Sequence, residues 1–297
     1  MILINPGNYV VYRDTPTSGA YHAVRLADGT EIANDSSLAG PVLQEALNQY
    51  FLQDPSSGYG AGDIYVRSGI YELGAGFGGL NVRSFVRLTL DPTAILQVPS
   101  GYGGAVFILA SNNTAEVSQA EVGGGIIREA QPAQHGWTAF LLQAAADQQK
   151  VGILFNKIHS TVLYEPAVAL AVHVTGDHGF INSNTFEFLR VWGAAIALDF
   201  SVVSGYQLGE EDFGILYNRF SDLHFQSEAA RYQAGIQNVT GVHNTFNEVK
   251  IWDIPRNPAI TIGPTADRTL VIGGTLVGEY AANPSVISDQ GRATKII

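Results

Sequence analysis

Hydrophobic and polar residues follow a repeating pattern in the second half of the chain. An asparagine is followed two residues later by a large apolar residue in four segments: Asn156-Lys157-Ile158, Asn184-Thr185-Phe186, Asn218-Arg219-Phe220 and Asn244-Thr245-Phe246. Successive asparagines are 28, 34 and 26 residues apart. Repetition at this length in an apolar background is typical of a solenoid, in which each repeat forms one coil.

The same pattern predicts where the asparagine side chains point. Side chains alternate across a strand, so an asparagine lies on the same face as the apolar residue two positions later. We therefore expect the four asparagines to point into the core. Strands of neighbouring coils are about 4.8 Å apart, which lets stacked amides hydrogen-bond in a ladder. Such a ladder avoids a cost of about 1–3 kcal/mol for each unpaired buried polar group.

The first fifty residues have two other patterns. Residues 8–33 alternate apolar and polar side chains around a turn from Asp14 to Gly19, which predicts a β-hairpin. Apolar residues then recur at helical spacing from Val42 to Phe51, behind a capping segment at residues 35–37. This spacing predicts an amphipathic helix over residues 38–53.

Short apolar runs separated by turn residues follow this helix, without a second helical pattern. Strands are predicted at 63–66, 70–73, 86–90 and 95–98, and the leading strands of six later coils at 105–109, 139–142, 169–172, 196–198, 235–237 and 259–262. The predicted organisation is an N-terminal β-hairpin extension over residues 1–34 and a β domain over residues 35–297. We expect the coils to occupy residues 62–280, with a protruding loop at Ser201 to Phe213.

The phrase Gly62-Asp63-Ile64-Tyr65-Val66-Arg67-Ser68-Gly69-Ile70-Tyr71, with the predicted helix just before it, resembles the first-coil segment of the pectate-lyase-like right-handed parallel β-helix superfamily. The resemblance implies an all-β fold: a right-handed parallel β-helix solenoid with an N-terminal hairpin and a capping α-helix. The Gly-His-Gly segment and paired Asp residues of polygalacturonases are absent from the sequence, as is the Trp-x-Asp-His segment of pectate lyases. The resemblance therefore assigns no catalytic residue.

Composition agrees with an all-β fold and excludes some functions. Hydrophobic residues make up 46% of the chain, charged residues only 14%, and there are 33 glycines, which favours strands and tight turns. The absence of cysteine excludes disulfides and thiolate metal sites. A net charge of -11 argues against a nucleic-acid partner. No apolar run has the length of a membrane span, and the start lacks the pattern of a signal peptide.

Residues at equal intervals after each asparagine are expected to occupy equivalent outward positions in successive coils. The column six residues on contains Val162, Arg190, His224 and Lys250, the column eight residues on contains Tyr164, Trp192, Gln226 and Trp252, and an acidic set three or four residues on contains Glu187, Asp222 and Glu248. Aromatic rings offer apolar area with a polar edge, which suits sugar faces, and cations pair with uronate or sulfate groups. The columns predict a polysaccharide-binding face, with Trp192, Trp252 and Tyr164 as substrate-binding residues.

Two kinds of cleavage are compatible with these residues. In a lyase, Lys250, Arg190 and His224 supply the base and the cationic clamp, and Asp222 or Glu248 is available to hold Ca²⁺. In a glycosidase, two members of the acidic set flank the scissile bond, about 5–5.5 Å apart for retention or 6.5–9.5 Å for inversion. We take both sets as candidate catalytic residues and leave the choice between lyase, glycosidase and simple binder open.

The competing hypothesis is a non-catalytic structural or adhesive β-helix, in which the same side chains form a subunit interface. Only about twenty residues follow Val277, too few for a capping domain, and an uncapped coil exposes strand edges. Trimeric phage tailspikes and spike-like adhesins resemble this arrangement. A homo-oligomer, such as a trimer, at a virion or cell surface or in the extracellular space is therefore expected. His173, Asp177 and His178 lie around one turn, but without a fourth ligand they predict a polar turn rather than a zinc site.

Overall fold

A computed structural model of the chain describes residues 8–53, 62–74, 76–131, 135–202, 214–226, 233–252, 258–277 and 287–297. The described part is all-β apart from one helix, and most strands pair in parallel. No helix within the described ranges is long and apolar enough to cross a membrane. The predicted loop at Ser201 to Phe213 lies outside the described residues from position 203 onward.

The N-terminal extension has one strand more than the predicted hairpin. β1 (Tyr9–Arg13) and β2 (Tyr21–Arg25) form the expected antiparallel hairpin, and β3 (Glu31–Asp35) adds to β2. α1 (Ala39–Gln53) lies within the range predicted for the helix. The Asp35 carboxylate fixes the approach to it by accepting hydrogen bonds from the backbone N–H groups of Ser37 and Leu38 at 2.8 and 2.9 Å.

The first coils join this extension without a break in the sheet, because β1 pairs in parallel with the first strand after the helix. The strands of this region are β4 (Gly62–Val66), β5 (Gly69–Glu72), β6 (Leu80–Asn81), β7 (Val86–Val98), β8 (Ala105–Ser111), β9 (Val117–Ser118) and β10 (Glu121–Glu129). Residues 86–98 form one strand where two were predicted. The chain bends there at a bulge opposite Gly124, which has φ 83° and whose missing Cβ would lie 2.1 Å from the Leu90 carbonyl oxygen.

The later coils repeat a common set of strands. One long strand, in a second sheet, leads each coil: β11 (Thr138–Ala144), β15 (Val168–Val174), β19 (Ile196–Val202), β23 (Ala234–Val242) and β26 (Ile260–Asp267). The shorter strands are β12 (Val151–Leu154), β13 (Lys157–His159), β14 (Val162–Tyr164), β16 (Gly179–Asn182), β17 (Thr185–Glu187), β18 (Arg190–Trp192), β20 (Gly214–Leu216), β21 (Arg219–Ser221), β22 (His224–Gln226), β24 (Thr245–Asn247), β25 (Lys250–Trp252), β27 (Leu270–Ile272), β28 (Thr275–Val277), β29 (Ile287–Asp289) and β30 (Lys295–Ile296).

Equivalent strands of successive coils pair in parallel, and their apolar residues stack in the core. Phe186 pairs with Phe220, and Phe220 with Phe246, so that the three rings lie in one column. Ring centroids in this column are 4.7 and 4.9 Å apart, and the Phe200 ring packs edge-on against Phe220. All four side chains are at most 1% exposed. Coil-to-coil register is thus locked by the side-chain stacks as well as by the strands.

The four asparagines form the predicted ladder, and each is at most 2% exposed. The Asn218 Oδ1 accepts hydrogen bonds from both the backbone N–H and the Nδ2 of Asn184, each at 3.0 Å. The Asn218 Nδ2 donates to Asn244 Oδ1 at 3.1 Å and to the Ile181 carbonyl at 2.9 Å. Asn156 bonds Asn184 in the same way. Asn184, Asn218 and Asn244 therefore each satisfy the side chain and the backbone N–H of the asparagine in the coil before, whereas Asn156 accepts a hydrogen bond from the backbone N–H of Ala120.

The prediction that the asparagines lie within strands was wrong. Each one lies in the turn between two strands, directly after a residue in the left-handed region, such as Ser183 with φ 55° or Tyr217 with φ 53°. A residue in this conformation turns the chain, so a corner separates the asparagine from the strand before it. Side-chain alternation alone does not predict such a corner. The side chain still points inward, because alternation resumes in the strand that follows.

We expect Asn218→Ala to lower the free energy of unfolding by about 3 kcal/mol, because it leaves the backbone N–H of Asn184 buried without its acceptor and removes the side-chain donor to the Ile181 carbonyl. The Asn184 Nδ2 also loses one of its acceptors but keeps the carbonyls of Ile153 and Asn182. Denaturant unfolding followed by circular dichroism measures the loss. Asn247→Ala is the matched control, since Asn247 is an outward, half-buried strand residue one coil away. Equal destabilisation by the two variants would contradict the ladder.

Candidate functional site

The two outward columns predicted from the asparagine count are present in the structure. Strand pairing places Val162, Arg190, His224 and Lys250 in one row and Tyr164, Trp192, Gln226 and Trp252 in the row beside it. The middle residue of each three-residue strand is buried, so both rows face outward. The Tyr164, Trp192 and Trp252 side chains are exposed. We call these eight residues the candidate face.

His224 lies at the centre of the candidate face between two indole rings. Its ring centroid is 5.7 Å from that of Trp192 and 5.1 Å from that of Trp252. Its Nε2 is buried and has no hydrogen-bond partner among the described residues. Burial lowers the pKa of His224, and the positive charges of Arg190 and Lys250 lower it further, against an opposing effect of Asp222. The imidazole is therefore neutral near pH 7.

Asp222 holds the two cations of the candidate face. Its Oδ1 is 3.5 Å from Arg190 Nη2 and 3.7 Å from Lys250 Nζ, and its backbone carbonyl accepts a hydrogen bond from Arg190 Nη1 at 2.9 Å. Asp222 lies at a corner with φ 47°, so its carboxylate reaches into the neighbouring strand rather than along its own. One carboxylate thus positions two cations around a neutral histidine.

The three residues of the acidic set lie at two kinds of position in the fold: Glu187 on a strand, and Asp222 and Glu248 at corners. Glu187 lies on β17, on the far side of the corner residue Phe188, and its carboxylate pairs with Lys157 Nζ at 2.5 Å. Glu248 lies at the corner one coil after Asp222, with φ 51°. The use of these three carboxylates as one catalytic set with the cations stays a prediction, including for Glu187. Its partner is a lysine of the preceding coil, which the column count did not consider.

Metal binding gains no structural support. Within the ranges that the structure describes, no group of three or more His, Cys, Asp or Glu residues is arranged to hold a metal ion, so a Ca²⁺ site at Asp222 or Glu248 stays a prediction. In the second sheet, His173 Nε2 contacts Asp199 Oδ2 at 3.1 Å instead of joining the neighbouring turn. Asp199 Oδ1 also accepts a hydrogen bond from Gln237 at 2.8 Å.

A pocket lies at the Tyr164 end of the candidate face and was not predicted from the sequence. Its volume is about 360 Å³, and it is lined by Gln97, Arg128, Glu129, Ala130, Tyr164 and Glu165. Arg128 pairs with Tyr164, which makes it the next member of the aromatic row. The coil that carries Arg128 has Ala120 where later coils have asparagine, so counting from the asparagines does not reach it.

Comparison with known proteins does not assign the chain to a family. No protein-family model and no curated protein matches it. The solved structure of ORF18 of Geobacillus virus E2 is similar over 94% of this chain and 68% of that chain, with a TM-score of 0.36 and 11% identity. A likeness at this level carries no argument about either fold or function.

We expect Lys250→Gln to raise the pKa of His224, because it removes one of the two nearby positive charges. NMR titration of the imidazole resonances measures the change. Lys157→Gln is the control, since the Lys157 ammonium pairs with Glu187 outside the candidate face. A wild-type His224 that titrates at or above the ordinary histidine value, unaffected by Lys250→Gln, would contradict the described environment.

Proposed function

We propose that the chain is a right-handed parallel β-helix. Support comes from the parallel pairing of equivalent strands in successive coils, in both sheets. Connections between parallel strands of one sheet are right-handed in nearly all proteins, because a right-twisted strand packs back onto its sheet only that way. The continuous row of coils presents an elongated outer face, which fits an extended ligand better than a compact one.

We propose that this protein binds an anionic extracellular or cell-surface polysaccharide along the candidate face. The observation that carries the proposal is the pair of exposed indoles, Trp192 and Trp252, that flank His224 between two cations. Trp192 and Trp252 are two strands apart, or about 10 Å at the usual strand spacing. Indole faces at this spacing provide successive platforms for the sugar rings of an extended chain.

Charge makes an acidic polymer the better fit. The chain carries a net charge of -11, which repels anions at long range, so an acidic ligand needs a local cationic stretch. Among the described residues that contact one another here, Arg190 and Lys250 supply two positive charges against the carboxylate of Asp222. Uronate or sulfate groups can pair with the excess charge through charge-assisted hydrogen bonds. The ligand we propose is therefore a uronate-rich or sulfated polysaccharide.

Replacing both tryptophans, Trp192→Ala with Trp252→Ala, should abolish polysaccharide binding, because it removes both stacking platforms. Binding to a panel of acidic polysaccharides, with circular dichroism as the test of folding, measures the effect. Phe155→Ala is the control, since the Phe155 side chain is 62% exposed but lies at a corner outside the candidate face.

The same variants test the competing structural role. If the candidate face is a subunit interface, the double tryptophan variant lowers the mass of the particle in solution, as measured by light scattering. An unchanged mass together with lost polysaccharide binding supports the proposal. A homo-oligomer such as a trimer, and a location at a virion or cell surface, belong to this proposal as further expectations.

A lyase activity is the second candidate, and the lowered pKa of His224 favours it. A neutral imidazole can remove the proton beside a uronate carboxylate, while Arg190 and Lys250 stabilise the charge that develops there. The base would be Nδ1, since Nε2 is buried. The bond from the next ring carbon to the glycosidic oxygen then breaks, a carbon–carbon double bond that absorbs ultraviolet light forms, and the released oxygen takes up a proton from water.

Incubation with uronate-rich polysaccharides should therefore produce an increase in ultraviolet absorbance that His224→Gln reduces by about 100-fold, the lower range expected for loss of a general base. The reaction is run with and without added Ca²⁺, and His173→Gln serves as the control histidine in the other sheet. Absence of the unsaturated product in both conditions would exclude the lyase and leave a binding protein.

A further inference from the structure

The pocket beside Tyr164 differs in charge from the rest of the candidate face. Two carboxylates, Glu129 and Glu165, line it together with the single guanidinium of Arg128. In the described surroundings of His224 the balance is reversed, with two cations and one carboxylate. Among the described residues, the aromatic row thus continues from a stretch with two cations and one carboxylate into a pocket lined by two carboxylates and one guanidinium.

Glu129 is an unusually buried carboxylate, with its side chain only 1% exposed. Its Oε1 accepts a hydrogen bond from the Gly101 backbone N–H at 2.9 Å, and its Oε2 accepts one from the His135 N–H at 3.2 Å. Two backbone donors thus hold both carboxylate oxygens in place, and Glu129 forms a fixed wall of the pocket.

Glu165 faces the same imidazole as Glu129. The Nδ1 of His135 is 3.6 Å from Glu129 Oε2 and 3.5 Å from Glu165 Oε2, which holds the two carboxylates on one side of the pocket. The backbone N–H of Glu165 donates to the Trp192 carbonyl at 2.7 Å. Glu165 is therefore tied directly to the strand that carries the first indole of the candidate face.

We propose that this pocket binds one uncharged pyranose ring and excludes an acidic one. Hydroxyl groups both donate and accept, and the pocket offers acceptors at Glu129 and Glu165 and donors at Arg128 and Gln97. The exposed ring of Tyr164 provides a surface for the apolar side of the sugar. A uronate placed here meets two carboxylates, which costs free energy through like-charge repulsion.

The volume agrees with a single ring, because about 360 Å³ is near the lower limit of small-molecule pockets. Joined to the cationic stretch, the pocket identifies the ligand as a heteropolysaccharide in which an uncharged sugar lies near an acidic one. It also places the uncharged sugar at the Tyr164 end of the candidate face. This link to a polymer rests on the proposed function, whereas the binding of a single ring in the pocket does not.

The test uses small glycosides and NMR titration of the intact chain. Methyl glucoside and methyl galactoside are the uncharged probes, and methyl glucuronide is the acidic one. We expect at least one uncharged glycoside to shift the resonances of Tyr164 and its neighbours, and methyl glucuronide not to do so. Glu165→Gln should weaken the uncharged glycoside about tenfold, as expected for loss of a charge-assisted hydrogen bond, and should admit the glucuronide.

Glu121→Gln is the matched control, because Glu121 is a carboxylate of the same coil that pairs with Arg87 and His159 outside the pocket. It should leave both titrations unchanged. Tyr164→Leu keeps an apolar wall but removes the ring, so it should weaken the uncharged glycoside without admitting the glucuronide. If no uncharged glycoside binds at Tyr164, or if Glu165→Gln leaves the preference unaltered, the proposal is overturned.

The result of the glycoside titration can be distinguished from the result of the polysaccharide-binding experiment. The variant with Trp192→Ala and Trp252→Ala keeps all six lining residues, so the glycoside should still bind to it. If wild-type protein binds a glycoside but no polysaccharide, the pocket stands and the proposed function fails. If it binds polysaccharide while no glycoside reaches Tyr164, the pocket assignment fails instead.

Discussion

The asparagine ladder is the interaction on which the other features depend. Each rung joins a side-chain amide to both the side chain and the backbone of the neighbouring coil, so it fixes axial spacing and register together. The phenylalanine column two residues later stacks at 4.7–4.9 Å because the rungs above and below hold the strands at that spacing. The outward rows, six and eight residues on, inherit the same register.

This dependence explains why the rows were predictable from the sequence. Arg190, His224 and Lys250 each lie six residues after an asparagine. Because the asparagines of successive coils are aligned, these three residues are aligned as well. The intervals between successive asparagines differ, at 28, 34 and 26 residues, yet the described strands keep this pairing. Inward burial of the asparagines was predicted for the same reason, although their position in a turn was not.

Other features of the structure could not be predicted from side-chain alternation and residue spacing. Asp222 reaches both cations only because it occupies a corner in the left-handed region, a conformation that its residue type does not specify. The contact of Glu187 with Lys157 was not foreseen, because the column count compared only residues at equal distances from the asparagines. The pocket at Glu129 escaped notice because Ala120 replaces the asparagine that would have brought its coil into the alignment. The third N-terminal strand lacked a clear alternating pattern.

The ladder contacts are confined to adjacent coils, and this has a consequence for how such a chain can change over evolutionary time. A rung recognises only the coil on each side of it, so the duplication or deletion of a whole coil leaves every remaining contact chemically the same. A single-residue insertion between Asn218 and Phe220 would instead turn one of the two outward. Length is thus free to vary in units of one coil, while the interval inside the motif is fixed.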